Sequence, residues 1–261
     1  MNLHAPIGVF DSGVGGLSVL RALRAALPGE DFVYLADNAH APYGERGDAF
    51  VAARSRHIAH QLRVQHGIKA LVVACNTATA AAIELLRAEH PGLPIVGVEP
   101  ALKPAAALTR TGRVGVLATR GTLGSARFRA LQASLAARSE FVLQPCDGLA
   151  EAIEQADAIK TRALCARYTR TTGLFGTETG CIDTLVLGCT HYPFAQDELR
   201  ALLGPEVRLI ETGEPVARHT HHVLATAGLL KPAGRHRGQV TLLASGDSAP
   251  LAAAAQRWLG I

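Results

Sequence analysis

The sequence lacks the segments and charge patterns that mark several classes of protein. Over its 261 residues no apolar run is long enough to span a bilayer as a helix, and its first residues lack the basic-then-apolar layout of a secretory signal. The formal net charge is only +4, and the arginines are scattered among acidic residues. We therefore expect a cytoplasmic protein that binds neither membrane nor nucleic acid.

Cysteine is scarce and shows no pairing pattern. The five cysteines are odd in number and include no C-x-x-C pair, which argues against a disulfide framework and a structural zinc site. Cys146, Cys165 and Cys181 have no distinctive setting, and we expect core thiols there. Cys75 in LVVACNT and Cys189 in LVLGCTH differ, because each follows an apolar run and precedes polar residues. Their shared position suggests a shared role.

Short β-branched runs alternate with amphipathic helical patterns along the whole chain. Leu17, Leu20, Leu23 and Leu27, for example, have the three- and four-residue spacing of one helix face. This alternation predicts parallel sheets covered by helices, with functional residues at the carboxyl ends of the strands. The predicted strands cover residues 7–10, 32–35, 70–74, 95–98, 113–117, 141–143, 184–187, 207–210 and 240–243.

An internal repeat predicts two related halves. IGVFDSGVGGLS, beginning at residue 7, resembles VGVLATRGTLGS, beginning at residue 114, and the two cysteine motifs have nearly the same separation. We expect two pseudo-symmetric parallel-sheet sandwich domains with the active site in the cleft between them. The first comprises residues 1–98 and a C-terminal return, residues 208–261, and the second comprises residues 99–207.

Two thiols on opposite faces of one ligand suit the inversion of a carbon stereocentre. One thiolate removes a proton from one face while the other thiol delivers a proton to the opposite face. A strand-to-helix junction favours the thiolate, because the first N–H groups of a helix stabilise negative charge. The alternative is that Cys75 and Cys189 are both tightly packed core thiols.

The glycine-rich turn DSGVGG at residues 11–16 can hold an anion on its backbone N–H groups. No lysine follows it, so it is not a P-loop, and it matches a dinucleotide-binding turn only incompletely. Asp11 would repel a pyrophosphate and better suits an ammonium group or a catalytic proton. Helix capping is the alternative for Asp11 and Ser12.

The remaining candidates surround the two cysteines. His191, two residues beyond Cys189, either tunes that thiol or is structural. Short polar side chains at helix starts can donate hydrogen bonds to carboxylate oxygens, and they can equally cap the helix. The residues in this position are Asn76, Thr77 and Thr190. Three histidines near residue 220 do not have the spacing of a zinc site, and we expect them to lie on an exposed helix face. They are His219, His221 and His222.

Six segments, in this order, resemble glutamate racemases of the aspartate/glutamate racemase superfamily: FDSGVGGLSVL, YLADNAHAPYGER, VVACNTATA, GVEPALKPA, VLGCTHYPF and SGD. The resemblance spans nearly the whole chain. It implies a homodimeric, cofactor-independent enzyme that interconverts L- and D-glutamate and supplies D-glutamate for peptidoglycan. Two positions depart from the family's pattern. ETGEP at residues 211–215 stands where the family commonly has Asp-Ser-Gly, and Gly47 stands where it commonly has serine.

The resemblance also implies residue roles. Cys75 would be the base for D-glutamate and Cys189 the base for L-glutamate, supported by Asp11 and His191 respectively. An assisting catalytic glutamate maps to Glu154, with Glu151 nearby. Substrate-binding groups would come from Asp11, Ser12, Pro42, Tyr43, Gly44, Asn76, Thr77, Thr119, Thr122 and Thr190.

Other functions stay open on the sequence alone. An aspartate or broader amino-acid racemase would use the same two thiols, since they specify the reaction better than the substrate's side chain. A non-catalytic nucleotide- or partner-binding module would keep the glycine-rich turn but have inert thiols. No lysine lies in a recognisable pyridoxal setting, so we expect neither a cofactor nor a metal.

Overall fold

The computed structural model of the protein describes residues 2–232 and 237–261, which form strands and helices in regular alternation. The strands are β1 (Ile7–Asp11), β2 (Phe32–Ala36), β3 (Ala70–Val73), β4 (Ile95–Gly97), β5 (Arg113–Ala118), β6 (Glu140–Pro145), β7 (Thr184–Leu187), β8 (Arg208–Ile210) and β9 (Val240–Ala244). The helices are α1 (Leu17–Ala26), α2 (Asp48–His66), α3 (Asn76–Glu89), α4 (Leu102–Leu108), α5 (Arg120–Gly124), α6 (Ala126–Leu135), α7 (Leu149–Glu154), α8 (Ala158–Thr172), α9 (Gln196–Leu203), α10 (Gly213–Thr226) and α11 (Ala249–Leu259).

The chain divides into two compact units, Met1–Val98 with Gly213–Ile261, and Glu99–Thr212. The first unit contains a five-stranded parallel sheet in the order β4-β3-β1-β2-β9, and the second a four-stranded parallel sheet in the order β6-β5-β7-β8. Every predicted strand overlaps an observed one. The predicted two-domain parallel α/β architecture is therefore confirmed.

The repeat in the sequence corresponds to a repeated strand neighbourhood. In the first unit, β1 leads into the glycine-rich turn and pairs with β3, which ends just before Cys75. In the second unit, β5 leads into the related turn and pairs with β7, which ends just before Cys189. Because the strands of each pair are parallel, both turn and cysteine lie at the carboxyl edge of their sheet.

The central strands of the first unit are almost wholly apolar because they lie in its buried core. β1, β2 and β3 are buried along their full length, as expected for strands covered by helices on both faces. On α1, Leu17, Leu20 and Leu23 are fully buried, whereas Arg21 is exposed. The amphipathic pattern of this helix therefore buries its apolar side, and the helix packs on α10 and α11.

The boundary between the units lies later than the expected one. Residues 208–212 were expected to belong to the C-terminal return, but β8 hydrogen-bonds to β7 and so lies in the second unit. The return begins with α10, which packs on α1. At its first residue, Gly213, an added Cβ would lie 3.2 Å from both the Ser18 carbonyl oxygen and Ala22 Cβ, so glycine permits this close approach.

Within the described ranges, none of the helices combines the length and the apolar character that crossing a membrane requires.

Candidate active site

Cys75 lies at the junction of β3 and α3. It is the N-cap of the helix, and its sulfur accepts the N–H of Ala78 at 3.4 Å. The residue is 5% exposed, so little solvent competes for the sulfur. A sulfur in this position receives the positive end of the helix dipole, which favours the thiolate. The local sequence produces this arrangement because the apolar strand ends at Val73, two residues before the cysteine, and a helix-forming run follows it.

Asp11 and Ser12 connect the glycine-rich turn to Cys75. The buried Asp11 carboxylate accepts the N–H of Gly16 at 2.6 Å, and the Ser12 hydroxyl donates to Asp11 Oδ1 at 3.4 Å. The Cys75 thiol donates to Ser12 Oγ at 3.9 Å. Asp11 thus binds the N–H of Gly16, the residue before α1, and joins a hydrogen-bonded path to the thiol, whereas the N-cap of α1 is Gly16 rather than Asp11 or Ser12.

The other predicted residues of the first unit border the same sheet edge. Asn76 and Thr77 begin α3 directly after Cys75, and both are buried. Tyr43 begins a short 3₁₀ turn, and its ring lies in the same buried cluster as Cys75. Pro42 precedes the turn through a cis peptide bond, and both Pro42 and Gly44 are partly exposed. The structure therefore brings Tyr43 and Cys75 into one region of the first unit.

Cys189, His191 and Glu154 form a connected group in the second unit. His191 Nδ1 lies 3.7 Å from Cys189 Sγ, and His191 Nε2 lies 2.5 Å from a carboxylate oxygen of Glu154, the last residue of α7. Cys189 is 7% exposed and His191 is 5% exposed. Thr190, which lies between Cys189 and His191 in the sequence, is also buried. One imidazole therefore connects a carboxylate to a thiol.

The surroundings of His191 favour its charged form. Burial alone would lower the pKa of His191, but the hydrogen bonds to Cys189 and Glu154 outweigh burial and raise that pKa well above its usual value. An imidazolium beside the sulfur stabilises a thiolate and can donate a proton. Glu151, the nearby alternative, forms a surface ion pair with Lys160 at 3.0 Å, so Glu154 is the glutamate that contacts His191.

Thr119 and Thr122 lie where β5 ends and α5 begins. Thr119 is the N-cap of α5, and its side chain accepts the N–H of Thr122 at 3.2 Å and donates to the Thr122 hydroxyl at 3.0 Å. Because β5 and β7 are parallel neighbours, the two threonines lie at the same sheet edge as Cys189. Two hydroxyls at a helix start can bind a carboxylate.

The three other cysteines are not in a comparable setting. Cys146 and Cys165 are buried as expected, and burial raises the pKa of Cys165 to about 12 and that of Cys146 further. Both are therefore neutral thiols. Cys181 is partly exposed, so the expectation of a core thiol is wrong at this position. It lies in the turn that precedes the isolated β-bridge between Ile182 and Phe175.

The histidines of α10 lie on the exposed face of that helix, as expected for His219, His221 and His222. Across residues 2–232 and 237–261, no group of three or more histidine, cysteine, aspartate or glutamate side chains could hold a metal ion.

Comparisons with known proteins relate the chain to one family. The sequence profile of the Asp/Glu/Hydantoin racemase family matches residues 7–220. A glutamate racemase from Pseudomonas paraeruginosa is 54% identical over 230 residues, which are 87% of this chain and 84% of that protein. A crystal structure of a Bacillus anthracis glutamate racemase has a TM-score of 0.87 and 32% identity, covering 100% of this chain and 96% of the other.

A third comparison concerns a protein with a bound amino acid. The glutamate racemase from Francisella tularensis, solved in complex with D-glutamate, has a TM-score of 0.82 and 25% identity, covering 100% of this chain and 95% of the other.

Proposed function

The chain belongs to the Asp/Glu/Hydantoin racemase family and is an amino-acid racemase, and from this premise we propose that it interconverts L- and D-glutamate without a cofactor. The similarity to glutamate racemases over most of both chains supports glutamate as the substrate. The observation that carries the mechanism is the repeated placement of one buried thiol, Cys75 or Cys189, after a central strand of each unit.

Each thiol acts on one enantiomer. With D-glutamate, the Cys75 thiolate takes the α-proton, and the Cys189 thiol gives its own proton to the opposite face of the carbanion, which yields L-glutamate. The reverse reaction starts from the Cys189 thiolate and the Cys75 thiol. Every turnover thus leaves the two thiols with exchanged protonation states, and a proton must return through solvent or neighbouring groups before the next turnover in the same direction.

The neighbouring groups differ between the two thiols. The path from Cys75 through Ser12 to Asp11 is made of hydroxyl and carboxylate groups. His191, held by Glu154, is the corresponding group at Cys189. An imidazolium stabilises the Cys189 thiolate by charge, whereas Cys75 relies on the start of α3. The pairs Asp11 and Ser12, and His191 and Glu154, therefore support the respective bases.

The weak acidity of the α-hydrogen demands strong stabilisation of the charge that develops on the α-carboxylate. Donors fixed before the reaction stabilise such charge without reorganising. Asn76 and Thr77 at the start of α3 and Thr190 beside Cys189, together with the backbone of residues 42–44, supply donors for the α-carboxylate and acceptors for the α-ammonium group. Thr119 and Thr122 bind the side-chain carboxylate, which gives glutamate its specificity.

We further place the reaction in the cytoplasm, where its product D-glutamate is used for peptidoglycan, and expect a homodimer. These proposals follow from the family resemblance. Sedimentation of the purified protein tests the dimer, and D-glutamate auxotrophy of a bacterium that lacks the protein tests its role in the cell wall.

The first experiment incubates the purified protein, without added cofactor, with L-glutamate in heavy water and follows chirality and α-deuterium. The expected result is D-glutamate that carries α-deuterium, as proton exchange at the α-carbon requires. Inert glutamate with racemised L-aspartate would keep the reaction type and change the substrate. Inertness toward both amino acids, with tight nucleotide binding, would support a binding module instead.

A further inference from the structure

Asp37 is a buried carboxylate that the mechanism above does not use. It follows β2 at the carboxyl edge of the first unit's sheet, and its N–H donates to the Asp11 carbonyl at 2.9 Å. Its side chain is fully buried and accepts the Tyr43 hydroxyl at 2.5 Å. Arg54 donates to both of its oxygens at 2.9 Å, and His40 Nδ1 lies 3.0 Å from one of them. Four side chains thus meet at one point beside the site.

The segment that follows Asp37 is also bound to the C-terminal return. The N–H of Ala39 donates to the Ser245 hydroxyl at 3.2 Å, and the N–H of Gly246 donates to the Asn38 side chain at 2.9 Å. Ser245 and Gly246 directly follow β9, which pairs with β2. The C-terminal return therefore fixes the residues that follow Asp37, whereas Tyr43 and Arg54 bind the Asp37 side chain itself.

The protonation states in this cluster keep it intact over a wide pH range. Burial opposes ionisation of Asp37, but hydrogen bonds from Arg54, Tyr43 and Ser245 outweigh it and lower the pKa of Asp37 to about 2. Burial and the Asp37 carboxylate raise the pKa of Tyr43 well above its usual value. At working pH the tyrosine is thus always the donor and the aspartate always the acceptor.

We propose that Asp37 is a positioning residue, which fixes the Tyr43 ring and thereby sets the backbone of residues 42–44 beside Cys75. The inference rests on the proposed function, in which that backbone holds glutamate. Tyr43 is 1% exposed and lies in the same buried cluster as Cys75, so a shift of its ring also moves the groups around the thiol. Displacements of about 1 Å at a reacting centre lower rates by about 10²-fold.

A purely structural role would have a different kinetic effect. Loss of folded protein lowers kcat in proportion to the folded fraction but leaves KM unchanged. Loss of positioning raises KM, because the backbone of residues 42–44 contacts the substrate, and lowers kcat in the remaining folded enzyme. The ratio of the two effects therefore separates the interpretations.

The experiment measures kcat and KM for L- and D-glutamate in the wild type, Asp37→Asn, Tyr43→Phe and Glu30→Gln. Glu30 is the matched control, because it lies at the opposite, amino end of β2 and accepts Lys69 Nζ at 2.5 Å in another buried ion pair. Near-ultraviolet circular dichroism and thermal unfolding give the folded fraction of each variant.

Asp37→Asn is expected to raise KM about ten-fold and to lower kcat about 10²-fold. Tyr43→Phe removes one hydroxyl and should raise KM about three-fold. If Asp37→Asn does not fold, the KM of Tyr43→Phe tests the inference in its place. Glu30→Gln should lose stability but keep KM and kcat per folded molecule. Unchanged KM in both site variants, or an equal change in Glu30→Gln, would overturn the inference. An inert wild type would overturn the proposed function and this inference with it.

Discussion

The Glu154 carboxylate lies 2.5 Å from one ring nitrogen of His191, while the other ring nitrogen lies 3.7 Å from the sulfur of Cys189. The sulfur of Cys75 contacts Ser12 and the start of α3. The two halves of the repeat therefore place their thiols alike but support them with different chemistry. This difference predicts different responses to pH and to substitution.

Glu154→Gln should lower racemisation at neutral pH by about 10²-fold, the size of effect expected for a lost acid–base partner. Without the carboxylate, the pKa of His191 falls, because the hydrogen bond and charge of Glu154 help to raise it in the wild type. The imidazolium is then lost at a lower pH. The measurement is kcat/KM against pH, in which the fall in activity at high pH should move to lower pH.

Glu151→Gln is the matched control for this substitution. Glu151 lies on the same helix, but it pairs with Lys160 at the surface, where each partner is more than 40% exposed. Such a pair contributes little to stability. We expect a wild-type pH profile for this variant. A profile for Glu154→Gln that coincides with the wild type would show that the carboxylate does not act through His191.

Cys75→Ala and Cys189→Ala should each lower racemisation by at least about 10³-fold, because a two-base reaction needs a proton acceptor on one face and a donor on the other. Cys165→Ala is the control, since Cys165 is a fully buried, neutral thiol of α8. That variant should retain wild-type kcat. Chirality assays on L- and D-glutamate measure the effect, and substantial turnover in either site variant would exclude the two-thiol scheme.

The local sequence predicts the sheets and the positions of both thiols well, because these depend on short patterns. The apolar run before Cys75 and the helix-forming run after it are contiguous, and an apolar run likewise precedes Cys189 at the carboxyl end of β7. Short patterns do not show which sheet a strand joins. β8 reads as a strand, but only its pairing with β7 places it in the second unit.

The cluster around Asp37 lies beyond such local patterns. Asp37 is recognisable as a polar residue at a strand end, but Arg54 reaches it from the next long helix and Ser245 from the far end of the chain. A single sequence contains no signal that pairs residues so far apart. In the same way, Glu154 and Glu151 are equivalent by position, and only the contact with His191 distinguishes them.

Asp37 should contribute to stability in a pH-dependent way. Its pKa in the folded protein is about 2, below the ordinary value of 3.8. Its contribution is therefore present above pH 4 and is lost as the pH falls toward 2. Asp37→Asn should lower the free energy of unfolding by about 2 kcal/mol near pH 6. Urea unfolding at pH 6, 4 and 3 measures the difference, which should shrink with pH. A constant difference would show that ionisation of Asp37 does not stabilise the fold.

Packing around Gly16 leaves no space for a side chain in the first half of the site. An added Cβ would lie 2.7 Å from Asp11 Cβ, 2.9 Å from the Tyr34 hydroxyl and 3.1 Å from Ala74 Cβ. The contacts with Asp11 and Ala74 are with short, buried side chains that cannot turn away. Gly16→Ala should therefore cost about 1–3 kcal/mol of stability. It should also lower kcat by about 10²-fold, because Asp11 and the residue before Cys75 must both move.

Gly47→Ala is the matched control, since in the described part of the chain no atom lies within 4 Å of the added Cβ, and the backbone φ of −70° suits alanine. Gly47 is the N-cap of α2, where alanine is less favourable than glycine, and this loss opposes the gain of about 0.4–1 kcal/mol from the reduced freedom of the unfolded chain. The net change in stability should therefore be small, and kcat should keep its wild-type value. Urea midpoints and kcat of the two variants test this directly. If Gly16→Ala loses stability but retains kcat, the thiol tolerates movement of its neighbours, and the charge at the start of α3 matters more than the placement of Asp11.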